Sequence, residues 1–198
     1  MSSHHFVKED QEPALLILNA GGIPFAKIQE LLEWSPTVIV SEESLPHVIT
    51  WGIKIDVVLC TQTSEERLHN ELLDQAPIKI ISFSDKEKLL SAACNFLKAS
   101  KCKAVNILIA EMKQLDSLSS FVSMDVEVFC NSRRWVYIQS GSFEKWMPQG
   151  TQLYTYPDLQ KEKLSTTGLN SDLICLQDGR IKIESNDNFW AGENLDPS

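Results

Sequence analysis

A chain of 198 residues, of which 43% are hydrophobic and 23% charged, is long enough to bury a core as one domain or two small ones. Its formal net charge of −9 opposes binding to nucleic acid or to an anionic membrane surface. No apolar stretch approaches the roughly 20 residues of a membrane span, and residues 1–10 lack the apolar core of a signal peptide. We therefore predict a cytoplasmic protein.

The five cysteines agree with that prediction. They include no pair at Cys-x-x-Cys spacing, which is the common signature of a zinc or redox site. Cys60, Cys130 and Cys175 each lie inside an apolar run, where a free thiol behaves as a small hydrophobic group. We expect structural cysteines in a reducing compartment.

Short apolar runs alternate with amphipathic segments along the first two thirds of the chain. Helical spacing is clear in Phe25–Trp34, Glu65–Leu73 and Lys86–Leu97. The alternation predicts an α/β fold with a doubly wound parallel sheet. The runs predicted to be strands covered on both faces are Ala14–Leu18, Thr37–Val40, Ile55–Cys60, Ile78–Phe83 and Val105–Ala110.

The pattern changes near residues 122–132. Helical periodicity is absent beyond this point, and short β-type runs separated by turn residues replace it. We predict an α/β domain in residues 12–124, followed by a small antiparallel β-sandwich in residues 125–195.

Two motifs follow predicted strands, and ligands of doubly wound sheets bind where strands end. The glycines in Asn19–Pro24 would let the backbone approach a phosphate, although an ordinary βα turn has the same composition. Asp85 and Glu87 begin a predicted helix, where they either hold Mg²⁺ on a nucleotide or cap the helix from its solvated face. These motifs alone leave the ligand open.

The tryptophans divide by their surroundings. Trp34 and Trp51 lie in segments predicted to be helical, and we expect both in the core. Trp146 and Trp190 lie in polar, loop-like surroundings, where an indole is available to stack on an aromatic ligand.

Several segments between Ala14 and Trp190 resemble those of thiamine pyrophosphokinases, which transfer diphosphate from ATP to thiamine. The segments are Ile17–Gly21, Gly52–Leu59, Leu115–Ser117, Leu164–Leu169 and Ile183–Asp187. The resemblance implies a nucleotide-binding-like parallel α/β domain followed by a thiamine-binding-like β-sandwich, and a homodimer with thiamine at the subunit interface. It also implies ATP and Mg²⁺ as cofactors of an active member.

The same alignment shows departures from the family pattern. The family's Gly-Asp-x-Asp-Ser corresponds to Cys60–Ser64, in which both aspartates are threonines. Its Asp-Gly-Gly-Ala corresponds to Glu42–Leu45, which keeps only one matching carboxylate. Its Asp-x-Thr-Asp corresponds loosely to Asp85–Lys88. Of its Gly-Gly-Arg-x-Asp-His only Asp116 remains, with Gln114 at the arginine position.

The resemblance carries a set of site residues onto this chain. Asp85 and Asp116 are the predicted catalytic residues, and Glu42 and Asp85 the predicted metal ligands. The predicted ligand-binding residues are Asn19, Gly21, Glu42, Ser64, Gln114, Ser185 and Asn186.

Three functions remain open. The leading hypothesis is a catalytically impaired thiamine pyrophosphokinase-like protein that binds thiamine or a nucleotide in the interdomain cleft. The second is an active enzyme with rearranged metal ligands, and the third is an interaction protein on the same fold. Threonine hydroxyls are weak, neutral ligands, so loss of the aspartates favours the first.

Overall fold

The computed structural model describes residues 12–19, 21–75, 77–121, 123–139, 141–158 and 165–195. The chain divides into two compact units, Met1–Val126 and Glu127–Ser198. Residues 1–10, which were considered above as a possible signal peptide, lie outside the described residues. Within the part of the chain that is described, no helix is both long enough and apolar enough to cross a membrane.

Five parallel strands form the sheet of the first unit. Their spatial order is fourth, third, second, first and fifth. All residues of the first two strands are buried, because both faces of the sheet are covered. The strands are β1 Ala14–Ile17, β2 Val38–Ser41, β3 Val57–Thr61, β4 Lys79–Phe83 and β5 Ala104–Leu108.

Helices follow the strands of this unit. The α-helices are α1 Phe25–Leu32, α2 Leu45–Ile49, α3 Glu65–Glu71 and α4 Leu89–Ala99. Short 3₁₀ segments lie at Gln62–Ser64, Leu73–Gln75, Lys86–Lys88 and Met112–Phe121. Helix α4 is held by its buried residues Ala93, Cys94 and Leu97, which recur at helical spacing.

The prediction that Trp34 belongs to the core is wrong. Helix α1 ends at Leu32, two residues earlier than Trp34, and the indole is 63% exposed. Ser35 then adopts a positive φ of 55°, which turns the chain away from the helical path. Trp51 is half-buried and follows α2 in a turn instead of lying within a helix.

The second unit contains two antiparallel sheets. One pairs β6 Asp125–Cys130 with β7 Arg133–Ile138, then β12 Phe189–Asn194, then β9 Leu153–Tyr156. The other pairs β10 Ser165–Thr167, β11 Gly179–Ser185 and β8 Gly141–Met147. Trp146 and Trp190 therefore lie in strands, contrary to the prediction, and Trp190 is buried.

One hydrophobic core joins these two sheets. Leu153 and Phe189 of the first sheet cluster with Met147, Ile181 and Ile183 of the second. Sheets that share a core in this way form a sandwich. The predicted fold class, a parallel α/β unit followed by a small β-sandwich, is confirmed.

The hairpin between β6 and β7 shows how the residues of a turn determine the pairing of two strands. Asn131 and Ser132 form its turn, with φ of 51° and 56°. Left-handed backbone at both turn positions matches the twist of adjacent strands, and asparagine tolerates it better than most residues. The hairpin therefore closes through a two-residue turn.

Candidate functional site

A cleft of about 410 Å³ opens where the strands of the first unit end. Its walls come from the segments after β1, β2, β4 and β5, as expected for a doubly wound sheet. The lining is apolar at Leu18, Phe83, Leu89, Leu90 and Leu118, and polar or charged at Ser41, Glu42, Glu43, Lys86, Glu87, Gln114 and Ser117. The volume lies within the range of about 300–1,000 Å³ that is typical of small-molecule sites.

Glu42 and Ser64, both predicted site residues, meet through Thr61. The Thr61 backbone N–H donates to Glu42 Oε2 at 3.2 Å, and the Thr61 hydroxyl donates to Glu42 Oε1 at 3.4 Å. The same hydroxyl lies 3.2 Å from Ser64 Oγ and 3.0 Å from Thr63 Oγ1. Both carboxylate oxygens of Glu42 thus accept hydrogen bonds from the end of β3.

Two buried serines hold the loop that carries Glu42 and Glu43. Ser41 Oγ and Ser44 Oγ both donate to the carbonyl oxygen of Leu18, at 3.0 and 2.7 Å. These bonds tie the end of β1 to the end of β2 and to the start of α2. Sequence reasoning missed this pair, since serines beside acidic residues usually indicate an exposed turn.

Lys86 forms an ion pair that the sequence analysis did not predict. Its Nζ lies 2.5 Å from Glu43 Oε1, and the two side chains are 72% and 65% exposed. The hydrogen bond to Glu43 and the charge of that carboxylate raise the pKa of Lys86, and the charge of Glu42 raises it further. The ammonium of Lys86 therefore lies in the field of both glutamates.

Asp85 is likewise engaged by its neighbours. Ser84 Oγ donates to Asp85 Oδ2 at 2.9 Å, and Lys88 Nζ lies 3.5 Å from the same oxygen. The hydrogen bond from Ser84 is the largest cause of the lowered pKa of this carboxyl group; desolvation opposes it, and the charge of Lys88 adds a smaller lowering effect. The alternation of acids and lysines in Asp85–Lys88 was the signal in the sequence for the ion pair between Asp85 and Lys88.

Other predicted residues of the first unit serve local structure. The Gly21 N–H donates to Asn19 Oδ1 at 2.8 Å, which closes the turn after β1. Gln114 Oε1 accepts from the backbone N–H groups of Ala110 and Glu111, at 3.2 and 3.1 Å. Asp116 is exposed on the 3₁₀ segment after β5.

Ser185 and Asn186 belong to the second unit. Ser185 ends β11 and is buried, and its Oγ accepts from the Asp187 N–H at 3.1 Å. Asn186 is exposed in the turn that follows. Their contact with a ligand stays a prediction.

The donors at the strand ends do not fit Mg²⁺ as they are arranged. Mg²⁺ requires near-octahedral oxygen ligands and is usually held by one or two carboxylates, waters and substrate phosphates. Here Glu43 is paired with Lys86 and Asp85 is paired with Lys88, while Glu42 accepts one hydrogen bond at each oxygen from Thr61 and keeps lone pairs for a ligand. Among the residues that the structure describes, no group of three or more His, Cys, Asp and Glu side chains is placed to hold a metal ion.

The fold and the cleft define an α/β protein with a candidate small-molecule site at the carboxyl ends of a parallel sheet. No protein-family model matches the sequence, and no curated protein matches it either. Solved structures do match. Thiamin pyrophosphokinase from yeast has a TM-score of 0.63 at 11% identity, with 95% of this chain and 87% of that chain covered.

Two further solved structures give the same result. Thiamine pyrophosphokinase from Bacillus subtilis has a TM-score of 0.60 at 11% identity, covering 93% of this chain and 100% of that chain. Thiamin pyrophosphokinase from Candida albicans has a TM-score of 0.60 at 10% identity, covering 95% and 90%. The chain has the fold of thiamine pyrophosphokinases, so the resemblance predicted from its motifs is confirmed at the level of the fold.

Proposed function

We propose that this chain is a thiamine pyrophosphokinase-like protein that binds thiamine or a nucleotide but does not transfer diphosphate. The observation that carries the proposal is the state of the acids at the strand ends. Glu42 accepts a hydrogen bond from Thr61, and Glu43 and Asp85 form ion pairs with Lys86 and Lys88. Thr61 and Thr63 occupy the positions at which the family has aspartates.

The chemistry explains why this matters. Diphosphoryl transfer from a nucleotide depends on positioning and on neutralising the developing charge with metal ions and basic groups. Loss of a single stabilising group commonly costs about 10²–10³ in rate. With several carboxylates replaced or already paired, we expect turnover near the uncatalysed background, whereas a cleft with an apolar wall can still accept a ligand.

The test measures reaction and binding separately on the purified chain. Thiamine, ATP and MgCl₂ are incubated with the protein, and AMP and thiamine diphosphate are followed by chromatography. Thermal unfolding is recorded with thiamine, with thiamine diphosphate and with Mg·ATP. We expect no product, and an increase in Tm of a few degrees with thiamine or with the nucleotide, because a ligand at 100 times its Kd stabilises a fold by about 2.7 kcal/mol.

A matched pair of variants locates the binding site. Ser117→Trp places a bulky side chain in the lining of the cleft and should abolish the Tm increase. Ser91→Trp makes the same change at an exposed position of α4 that is not among the lining residues, and should leave the increase intact. Product formed in the presence of Mg²⁺ would contradict the proposal and favour an active enzyme. No Tm increase with any ligand would favour an interaction protein.

The resemblance also implies a homodimer, and we propose that this chain forms one. Light scattering coupled to size-exclusion chromatography should give twice the mass of a single chain. A single-chain mass over the accessible concentration range would refute the dimer without affecting the proposed ligand.

A further inference from the structure

A second pocket of the first unit lies at the amino ends of the parallel strands, at the opposite edge of the sheet from the cleft described above. Its volume is about 790 Å³, and it shares no lining residue with that cleft. It is formed where α1 ends and β2 begins, beside the start of β3 and beyond the end of α4. The volume is that of a small-molecule or peptide site, at an edge that the chemistry of doubly wound sheets leaves unused.

One wall of this pocket presents the indole of Trp34. The side chain is 63% exposed, and among the residues that the structure describes it has no aromatic or cation–π partner. The turn that carries it is held by hydrogen bonds from the Ser35 N–H to the Leu32 carbonyl oxygen and from the Leu15 N–H to that of Thr37, each at 3.0 Å. A large ring held on an ordered turn stacks on a ligand at little cost in entropy.

The charges around this indole favour a cation. Glu12, Glu33 and Asp56 carry three negative charges and Lys54 carries one positive charge, so the lining has a formal charge of −2. Asp56 is paired with Lys54 at 2.6 Å, whereas Glu12 and Glu33 form no ion pair with any other described residue. The carboxyl-terminal ends of α1 and α4 lie beside the pocket, and the negative end of each helix dipole strengthens the same field.

We propose that this pocket binds the guanidinium group of an arginine in a peptide segment of a partner protein. A guanidinium is planar and permanently charged, so it stacks on an indole face while its N–H groups donate to carboxylates. Trp34 is the platform, and Glu12 and Glu33 accept the N–H groups. This site is independent of the proposed function, because no residue of the cleft at the carboxyl ends takes part.

A peptide segment suits the pocket better than free arginine does. Free arginine carries an α-carboxylate, which would approach a lining of charge −2, whereas a peptide bond is neutral. The volume is far larger than one guanidinium group, so the aliphatic stem and the neighbouring residues of the segment also fit. The net charge of −9 on the chain attracts a basic partner over a longer range.

The first arm of the test uses the full chain with ¹⁵N in the indoles of its five tryptophans. A capped peptide with one arginine between glycines is titrated while the indole N–H signals are followed by NMR, and Trp34→Phe assigns the signal of Trp34. We expect that signal to shift until it saturates, and the affinity to fall as NaCl is added. The same peptide with citrulline, which keeps the shape of arginine without its charge, should give no shift.

Three results of this titration would overturn the assignment. The first is a Trp34 signal that does not move with the arginine peptide. The second is an equal shift with the arginine and citrulline peptides, which would exclude recognition of the charge. The third is free arginine that binds as tightly as the peptide, which would exclude a peptide segment as the occupant.

A matched pair of tryptophan variants locates the site by affinity. Trp34→Ala should weaken binding of the arginine peptide by about 3- to 30-fold, as expected for loss of a cation–π contact. Trp146→Ala is the control, because Trp146 is 61% exposed on β8 of the second unit and does not line the pocket. It should leave the affinity unchanged, and equal losses in the two variants would place the binding elsewhere.

Two changes of charge in the pocket should act in opposite directions. Glu33→Gln should weaken binding by about two- to fivefold, whereas Lys54→Met should tighten it by a similar factor because the lining becomes more negative. A tighter complex does not result from partial unfolding, so Lys54→Met separates charge from stability. Glu66→Gln, at an exposed position of α3 outside the pocket, is the control and should have no effect. Unchanged or weaker binding by Lys54→Met would refute the electrostatic basis of the site.

Discussion

The two units of this chain bury their strands in different ways. Strands β1 and β2 of the first unit are buried at every residue, so neighbouring side chains enter the core from opposite faces. Strand β11 of the second unit alternates, with Ile181 and Ile183 buried and Lys182 between them partly exposed. The comparison teaches that a continuous apolar run marks a strand covered on both faces, whereas alternation marks one core face.

The largest expected effect tests this difference at neighbouring positions. Leu15→Ala and Leu16→Ala should each lower the free energy of unfolding by about 2–5 kcal/mol, because both side chains are fully buried. Ile183→Ala should cost a similar amount, whereas Lys182→Ala should change stability by less than about 0.5 kcal/mol. Urea denaturation followed by circular dichroism measures all four variants.

The comparison would break if one of the two leucine variants were nearly neutral. That result would mean that only one face of β1 carries a packed core. Equal losses for Lys182→Ala and Ile183→Ala would equally remove the distinction in the second unit.

A smaller effect is expected from close packing within the sandwich. Gly192 on β12 lies opposite Trp135 on β7, and an added Cβ would come within 2.6 Å of the indole ring. Gly192→Ala should destabilise the protein by about 1–3 kcal/mol through overpacking. Gly141→Ala is the control, because its Cβ would meet only the Gln139 carbonyl oxygen at an ordinary 3.5 Å.

A second substitution checks the cause of that loss. Trp135→Leu removes the ring that the new methyl group meets, so Gly192→Ala should cost much less in this background than in wild type. An unchanged cost in both backgrounds would assign the loss to the backbone of β12 instead of the contact with Trp135.

The smallest effect concerns the buried serines. Ser44→Ala removes a 2.7 Å hydrogen bond to the carbonyl oxygen of Leu18 and should cost about 1 kcal/mol. Ser185→Ala in the second unit should cost less, since it frees only the N–H of the exposed residue Asp187, which water can solvate. Thermal unfolding distinguishes the two. A larger loss for Ser185→Ala would mean that the turn after β11 matters more than the link between β1 and α2.

Much of the fold was predictable because its signals are local. The apolar runs and helical spacings predicted each parallel strand of the first unit and three of the four α-helices found among the described residues. Trp34 was placed wrongly because the periodic pattern continues past Leu32, where the helix ends. Trp190 was misplaced because its polar neighbours in the sequence hide the pairing of β12 with β7 and β9.

The candidate site was predictable only in part. The family resemblance named Glu42, Ser64 and Gln114, and the structure places them just after β2, β3 and β5, at one edge of the sheet, while their role in binding stays a prediction. The hydrogen bonds from Thr61 to Glu42 were not predicted, because the sequence analysis treated Thr61 only as the replacement of a family aspartate. The ion pair of Lys86 with Glu43 was missed entirely, since nothing in the sequence connects two residues 43 positions apart.

The sequence by itself determined the fold class, the alternation of buried strands and helices, and the chemical types that lie at the strand ends. These follow from periodicity and composition, which act over a few neighbouring residues. Only the tertiary structure decided which charges meet. The parallel sheet brings the end of β2 and the segment before α4 to one edge, and there Lys86 pairs with Glu43, an acid that the sequence alone would have left free to bind metal. The physical reason is that electrostatic pairing depends on distance in space, and the order of strands sets that distance.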